Sequence, residues 1–335
     1  MKISFLVTFY NQEKYVRESI ESILSIEKPY EWELLVGDDG SDDRTVEIIN
    51  DYISQDIDHI HLYIMPRDKD KQYDSVKRAS ANRINLFEHS TGDCFCVLDG
   101  DDCYCDKKFA IEAIKVLEKK QDVSVVSYGY REFGIVDKEC QLPDGMEGYI
   151  DTEQFVSCFY LPAGACVHRS KKESIEHIKK IGWFDDSNIL MNSLSIGKMY
   201  YINRVIYAYR QTGVSLYSSM TSLEQAVLNV QSYDVDMWIT KGQFDRALRK
   251  RYAGAILKLY YCRKHIQTRL GEKKKDCYYN NSQIIENSLS ADLLDYYSLS
   301  NKKKKKTKAF ISLIEKENPK YALKIRLNEI LRLNI

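Results

Sequence analysis

Four short apolar runs alternate with helix-patterned segments over the first 100 residues, and polar or acidic residues close each run. KISFLVTFY (2–10) is a continuous β-prone run, the pattern of a strand buried on both faces. In NQEKYVRESIESILSI, the residues Tyr15, Ile20, Ile23 and Leu24 recur at helical spacing, with Asn11 near the start. WELLVGDDGSDDRT gives a second strand ending in acids and glycine, and TVEIINDYI a second helix. IHLYIM, SVKRASANRINLFEHS and DCFCVLDGDD continue as strand, helix and strand, with Gly92 ending the helix. Such alternation predicts βαβ units. The expected class is α/β, a Rossmann-like, mainly parallel sheet flanked by helices.

Beyond residue 105 the pattern loosens. A helix is expected over Phe109–Lys120, one or two strands in VSVVSYGYREFGIV, and further strands at GACVHR and MYYINRVIYAYR. Residues 220–300 read as helices, for example EQAVLNVQSYDVDMWI and RALRKRYAGAILKLYYCRKH. A length of 335 residues suits two or three domains. The net charge of +0 excludes a whole-protein field for nucleic acid. No apolar run approaches the ~20 residues of a membrane span, and the N-terminal apolar run lacks a signal-peptide pattern. A cytoplasmic location is therefore expected, with the nine cysteines as free thiols. The pairs Cys94/Cys96 and Cys103/Cys105 raise a zinc reading, but their one-residue gaps are unlike the usual two-residue spacing, and strand cysteines serve as small apolar residues. From Asn301 to the end, eleven Lys and Arg stand against three Glu. This basic, amphipathic tail is read either as a helix packed on its own domain or as a peripheral contact with an anionic membrane face.

The acidic clusters carry the chemistry. Asp38-Asp39 closes the second strand and Asp99-Gly100-Asp101-Asp102 the fourth, while Thr8, Tyr10 and Asn11 follow the first. Ligands of open α/β sheets bind at the carboxyl ends of strands, so these groups converge on one crevice. Packed carboxylates repel unless a cation sits among them. A hard ion such as Mg²⁺ or Mn²⁺ takes one or two carboxylates and fills its shell with phosphate oxygens and water. No glycine-rich phosphate loop occurs, so the ion together with Lys77, Arg78 or Arg83 must hold phosphates. Read plainly, the same clusters are solvated turns rich in Asp and Gly.

These residues resemble family 2 glycosyltransferases of the GT-A fold. The matching segments are SFLVTFYNQEKYVRESIESIL, ELLVGDDGSDDRTVEII, ANRINLFEHSTGDCFCVLDGDDCYCDKKF and GWFDDSNILMNSLSIGKMYYINRVIYAYRQTGVS, in the family's order. The resemblance covers roughly residues 3–215 and implies a nucleotide-sugar-binding half over 1–105 and an acceptor-binding half over 106–217; the helical C-terminal region with the basic tail, 218–335, lies beyond it and is read from its own residue pattern. It implies a hexosyltransferase (EC 2.4) that moves sugar, with inversion, from a nucleoside-diphosphate sugar, UDP-sugar favoured. The acceptor would be a glycan or lipid-linked hydroxyl in bacterial surface polysaccharide synthesis, at the inner membrane face. Thr8 and Tyr10 would line the base pocket, Asp39 would bond the base and Asp99 the ribose. Asp101 would coordinate Mg²⁺ or Mn²⁺ with Asp102 close by, and Lys77, Arg78 or Arg83 would face the diphosphate. The general base would lie in Asp185-Asp186, where many relatives have Glu-Asp; Asp186 is favoured, and a helix N-cap is the plain alternative. PAGACVHRS and YRQTGVS would help form a dry pocket. His168 reads as a satisfied core histidine, and Arg210 as a partner of phosphate or of a carboxylate. A nucleotidyltransferase would need a glycine-rich loop where TFYNQEKYV stands. A non-catalytic module of this fold would be expected to lack Asp101 or the acidic pair.

Overall fold

A computed structural model of the chain describes residues 1–56, 58–68, 70–71, 73–173, 175–213, 222–244 and 246–257, with isolated positions between 312 and 323. The basic run at 301–308, the apolar stretch 324–335, and Val214 and Ser215 of YRQTGVS lie outside the described residues. The chain divides into two compact units, Met1–Ser218 with Trp238–Phe244 and Ser219–Met237 with Asp245–Ile335.

The first unit begins with β1 (Ile3–Phe9), α1 (Val16–Leu24), β2 (Trp32–Asp38), α2 (Thr45–Ile53), β3 (Ile60–Ile64), α3 (Ser75–His89) and β4 (Cys94–Asp99). It continues with β5 (Cys103–Tyr104), α4 (Phe109–Lys119), β6 (Val123–Gly134), β7 (Lys138–Cys140), β8 (Gly148–Tyr149), α5 (Thr152–Cys158), a 3-10 turn (Ala163–Ala165) and β9 (Cys166–Arg169). Helices α6 (Ile175–Ile181) and α7 (Asp186–Leu194) and the long strand β10 (Lys198–Gln211) complete it. Helix α8 (Ser222–Thr240) and a helical segment at 246–257 follow. Among the described residues no helix is long and apolar enough to cross a membrane.

One sheet runs in the order β3-β2-β1-β4-β9-β6-β10-β5. The first four strands are parallel, as the βαβ reading expects, and so are β6 and β10. Strand β9 is antiparallel to both β4 and β6 and splices the two parallel halves. The sheet therefore runs unbroken across residue 105. The strand order reverses direction between β1 and β4, which opens a crevice at their carboxyl ends.

Burial explains the continuous apolar strands. Phe5, Val7, Leu34, Val36, Cys94 and Cys96 lie in the core with Ile20, Ile23, Ile49 and Phe109 from the helices. Each large side chain buried this way contributes roughly 1.5–3 kcal/mol. Helix α3 approaches β2 closely: Asn82 Nδ2 donates to Gly37 O at 3.0 Å, and a Cβ on residue 37 would overlap Asn82 Oδ1. That contact orients the α3 face carrying Arg78 and Arg83.

At the opposite, amino-terminal edge, Glu33 is 5% exposed. It accepts from Lys2 Nζ, Ser4 Oγ and Thr91 N, each at 2.6 Å, and from Thr91 Oγ1 at 2.8 Å. Burial alone would raise its pKa, but these donors overcome it and bring the carboxyl down to about 2.

Candidate active site

The carboxyl ends of β1, β2 and β4 are brought side by side by hydrogen bonds that extend the ladder. Asp39 N donates to Phe9 O at 3.0 Å on one side, and Gly100 N donates to Thr8 O at 2.9 Å on the other. Neighbouring strands lie about 4.8 Å apart, so the two acidic clusters flank the end of β1. The preceding loops are tied as well. Asn11, at φ 50, accepts Asp42 N through its side chain at 2.9 Å. Gln12 N donates to Thr45 Oγ1 at 2.9 Å.

The two aspartates after β2 divide the work. Asp38 is buried and closes its own turn, accepting from Gly40 N, Ser41 N and Ser41 Oγ. Asp39 faces two guanidiniums instead, Arg67 at 2.7 Å and Arg78 in a shorter contact. Arg67 also donates to the Tyr10 hydroxyl at 2.8 Å and lies 3.9 Å from that ring's centroid, with Tyr73 on a further side at 5.2 Å. The result is an aromatic and guanidinium box around one carboxylate. Tyr10 is 41% exposed and offers a flat face to a planar ligand.

At the end of β4, Asp99 accepts Arg83 Nη2 at 2.7 and 3.0 Å and Thr8 Oγ1 at 3.4 Å. Burial would lower the pKa of Arg83, but the charges of Asp99 and Asp186 raise it. That places Arg83 electrically between the β4 cluster and the acidic pair of α7. Lys77, the third basic candidate, is exposed and leaves this face of α3 to Arg78 and Arg83.

Asp101 and Asp102 differ sharply. Asp102 is 1% exposed; its Oδ2 accepts the Tyr207 hydroxyl in a short bond and its Oδ1 accepts Arg210 N at 2.7 Å. Burial pushes its pKa well up, aided by the charges of Asp101 and Asp99. The expectation that Asp102 stands beside Asp101 as a metal ligand therefore meets a carboxylate whose oxygens are already engaged, and which ties the β4 loop to β10. Arg210 reinforces the tie, donating from Nε to Asp101 O at 2.7 Å and pairing with Glu18. Of its two expected partners, the carboxylate is the one it meets here. Asp101 has no ion-pair partner among the described residues, and burial plus the charge of Asp99 raises its carboxyl to about 6. An unneutralised, partly buried carboxylate next to Asp99 is a hard-oxygen donor set that suits one divalent cation sharing its shell with phosphates. Among the described residues no group of three or more His, Cys, Asp or Glu forms a complete ion cage. The zinc reading of the cysteines finds no support: Cys94 and Cys96 face the core, while Cys105 is exposed.

The acidic pair after Phe184 splits in the same way. Asp185 caps α7, accepting Asn188 N at 3.1 Å in a capping box, and its other oxygen accepts Trp183 Nε1 at 3.2 Å. Asp186 accepts the Tyr160 hydroxyl at 3.1 Å. Its carboxyl is raised to about 6, chiefly by burial; Arg83 works against the rise, and Asp99 and Asp185 add to it. A carboxylate poised near 6 can accept a proton at neutral pH. His168 is fully buried, donates from Nε2 to Ala163 O at 3.2 Å and stacks on Phe95; burial lowers it to about 4. It is a core histidine as expected, but only half satisfied, since its Nδ1 is buried without a hydrogen-bond partner among the described residues.

Arg67, Tyr73, Tyr160 and Tyr207 were not among the residues expected at the site. The rule applied to strands 1, 2 and 4 extends to β3, whose end is followed by Met65-Pro66-Arg67, and would have flagged Arg67. The tyrosines carry no local signal.

Comparison with known proteins places this geometry in context. The family model for glycosyl transferase family 2 matches residues 4–170. EpsE of Bacillus subtilis, described as a glycosyltransferase, is 34% identical over 137 residues, 40% of this chain and 46% of that protein. Poly-beta-1,6-N-acetyl-D-glucosamine synthase of Staphylococcus epidermidis is 32% identical over 100 residues, 30% of this chain and 23% of that protein. The chain thus spans less than half the length of either relative. The structure of S. aureus TarS 1–349 in complex with UDP superposes with a TM-score of 0.61 at 14% identity, covering 98% of this chain and 89% of that one. The same protein in complex with UDP-GlcNAc also gives a TM-score of 0.61, at 14% identity, covering 95% and 92%. These likenesses show the GT-A fold.

Proposed function

The chain belongs to glycosyl transferase family 2 through residues 4–170, and from that premise we propose that it transfers a sugar from a nucleoside-diphosphate sugar to a hydroxyl, with inversion at the anomeric carbon. The observation that carries the reading is the convergence at the carboxyl ends of β2 and β4 of a boxed carboxylate (Asp39) and one without an ion pair among the described residues (Asp101), with a raised carboxylate at the start of α7 (Asp186) linked to neighbouring Asp99 through Arg83.

Asp39 accepts a base N–H and the Tyr10 face covers the ring, in the place that the Arg67 guanidinium takes here, and Thr8 lies at the floor. UDP is the favoured nucleotide; TarS was solved with UDP and with UDP-GlcNAc. Asp99 takes the ribose hydroxyls, sharing Arg83 with the diphosphate, and Arg78 adds positive charge from the same helix face. Asp101 would hold Mg²⁺ or Mn²⁺, which when bound neutralises charge on the departing diphosphate. Asp102 keeps Asp101 in place through Tyr207 and Arg210. Asp186 removes the acceptor proton as that oxygen attacks, while Asp185 holds the start of α7. Alignment of donor and acceptor removes much of the entropic barrier. The acceptor is proposed to be a glycan or a lipid-linked sugar, as suits relatives of polysaccharide synthases.

The test is a donor screen that reads nucleoside diphosphate release from UDP-GlcNAc, UDP-glucose, GDP-mannose and dTDP-glucose, with and without Mn²⁺. Metal-dependent release from one donor, lost in Asp186→Asn, is expected. Tight nucleotide binding with no release from any donor toward water, glycan or lipid-linked sugar would point to a binding module.

A further inference from the structure

Tyr160 is oriented against the usual habit of its residue type. A tyrosine commonly buries its ring and leaves its hydroxyl wet. Here the hydroxyl points inward to Asp186 Oδ2 at 3.1 Å while the residue is 55% exposed. Its position is set on both sides. Phe159 N donates to Phe155 O at the end of α5, and Leu161 to Ala165 are all buried, with Ala165 N donating to Pro162 O at 3.0 Å. The following turn packs on the site itself, since a Cβ on Gly164 would strike the Tyr207 ring. An exposed aromatic face held beside a carboxylate suited to take a proton has the form of a sugar subsite: pyranoses present a patch of C–H bonds that packs on aromatic rings.

We propose that Tyr160 positions both partners of the acceptor step, its hydroxyl fixing the Asp186 carboxylate and its ring face seating the apolar side of a pyranose acceptor. This rests on Asp186 being the general base. One oxygen of Asp186 is held by Tyr160, which leaves the other for the acceptor hydroxyl. The charged groups that bear on Asp186 are Arg83 from α3, Asp99 from β4 and Asp185 at the start of its own helix. Loss of the tyrosine hydroxyl removes a donor that favours the ionised carboxylate.

Two variants of the full chain separate the two roles. Saturation-transfer NMR with methyl β-D-glucopyranoside and methyl N-acetyl-β-D-glucosaminide reads the platform. Carboxyl ¹³C titration of Asp186 reads the positioning. Wild-type protein is expected to saturate the C–H protons of one sugar face. Tyr160→Leu is expected to lose that transfer, and Tyr160→Phe to keep it. In Tyr160→Phe the Asp186 midpoint is expected to rise by about one pH unit, a tenfold change in the proton equilibrium. Equal saturation in wild type and Tyr160→Leu, or none with either sugar in wild type, overturns the platform. An unmoved Asp186 midpoint in Tyr160→Phe overturns the positioning role. Asp186→Asn measured alongside distinguishes the base reading: if it retains turnover, that reading fails, while the sugar comparison still decides Tyr160.

Discussion

Arg67 reaches Asp39 at 2.7 Å although 28 residues separate them in the chain. The same guanidinium lies over the Tyr10 ring. Arg67 thus already makes, from within the chain, the two contacts assigned to a base: a donor to Asp39 and a flat group on Tyr10. Asp39→Asn should lower UDP affinity by roughly tenfold or more, because a charge-assisted acceptor is lost. Isothermal titration with UDP checks this, and unchanged affinity would remove Asp39 from the base pocket.

Asp186 sets a pH limb. Its pKa is raised from 3.8 to about 6, and a general base works only when ionised. Turnover should therefore be full well above pH 6 and fall as pH drops through about 6. A log kcat/KM profile for donor turnover gives the midpoint. Asp186→Asn should abolish transfer and leave UDP affinity within about threefold, less than the effect expected for one lost hydrogen bond to a charged group.

Asp101 predicts a trade of stability against function. Its folded pKa is raised from 3.8 to about 6, so ionisation costs the folded state. The cost is absent below pH 3.8, grows across the interval and is complete above about 6. Asp101→Asn should thus stabilise the metal-free protein at pH 7 by on the order of 1–2 kcal/mol, after discounting for partial exposure, with no gain at pH 3.5. Thermal unfolding at the two pH values checks the sign. The same variant should lose the extra stabilisation that Mn²⁺ confers on the UDP complex, as well as transfer.

Glu33 is the mirror case. Its pKa falls from 4.5 to about 2, so it contributes stability above 4.5 that is lost as pH falls toward 2. Glu33→Gln should cost about 2 kcal/mol at pH 7 and almost nothing near pH 2, since it weakens a buried junction of β1, β2 and Thr91. Urea unfolding across pH measures it. An equal cost at every pH would mean that shape, not charge, holds this edge together.

Much of the fold could be read in the chain because its signals are local. Apolar runs and helical spacing depend on neighbours one to four positions away, and β1 to β4 with α1 to α3 follow from them. The second half was harder. Strand β6 is one continuous element, and β9 becomes a strand only where it is gripped between β4 and β6. The N-cap at Asp185 was visible as a possibility because its partner Asn188 lies three residues on.

What the sequence alone determined is that carboxylates gather at the ends of parallel strands, since strand order and turn chemistry require it. Tertiary structure decided which of them remain available. Asp102 is consumed by Tyr207, 105 residues away, and Asp39 is boxed by Arg67 from the β3 loop, while Asp101 and Asp186 are left to be raised by burial and by like charge. A carboxylate's chemistry depends on the water and charge around it, and those surroundings are assembled only when distant segments pack.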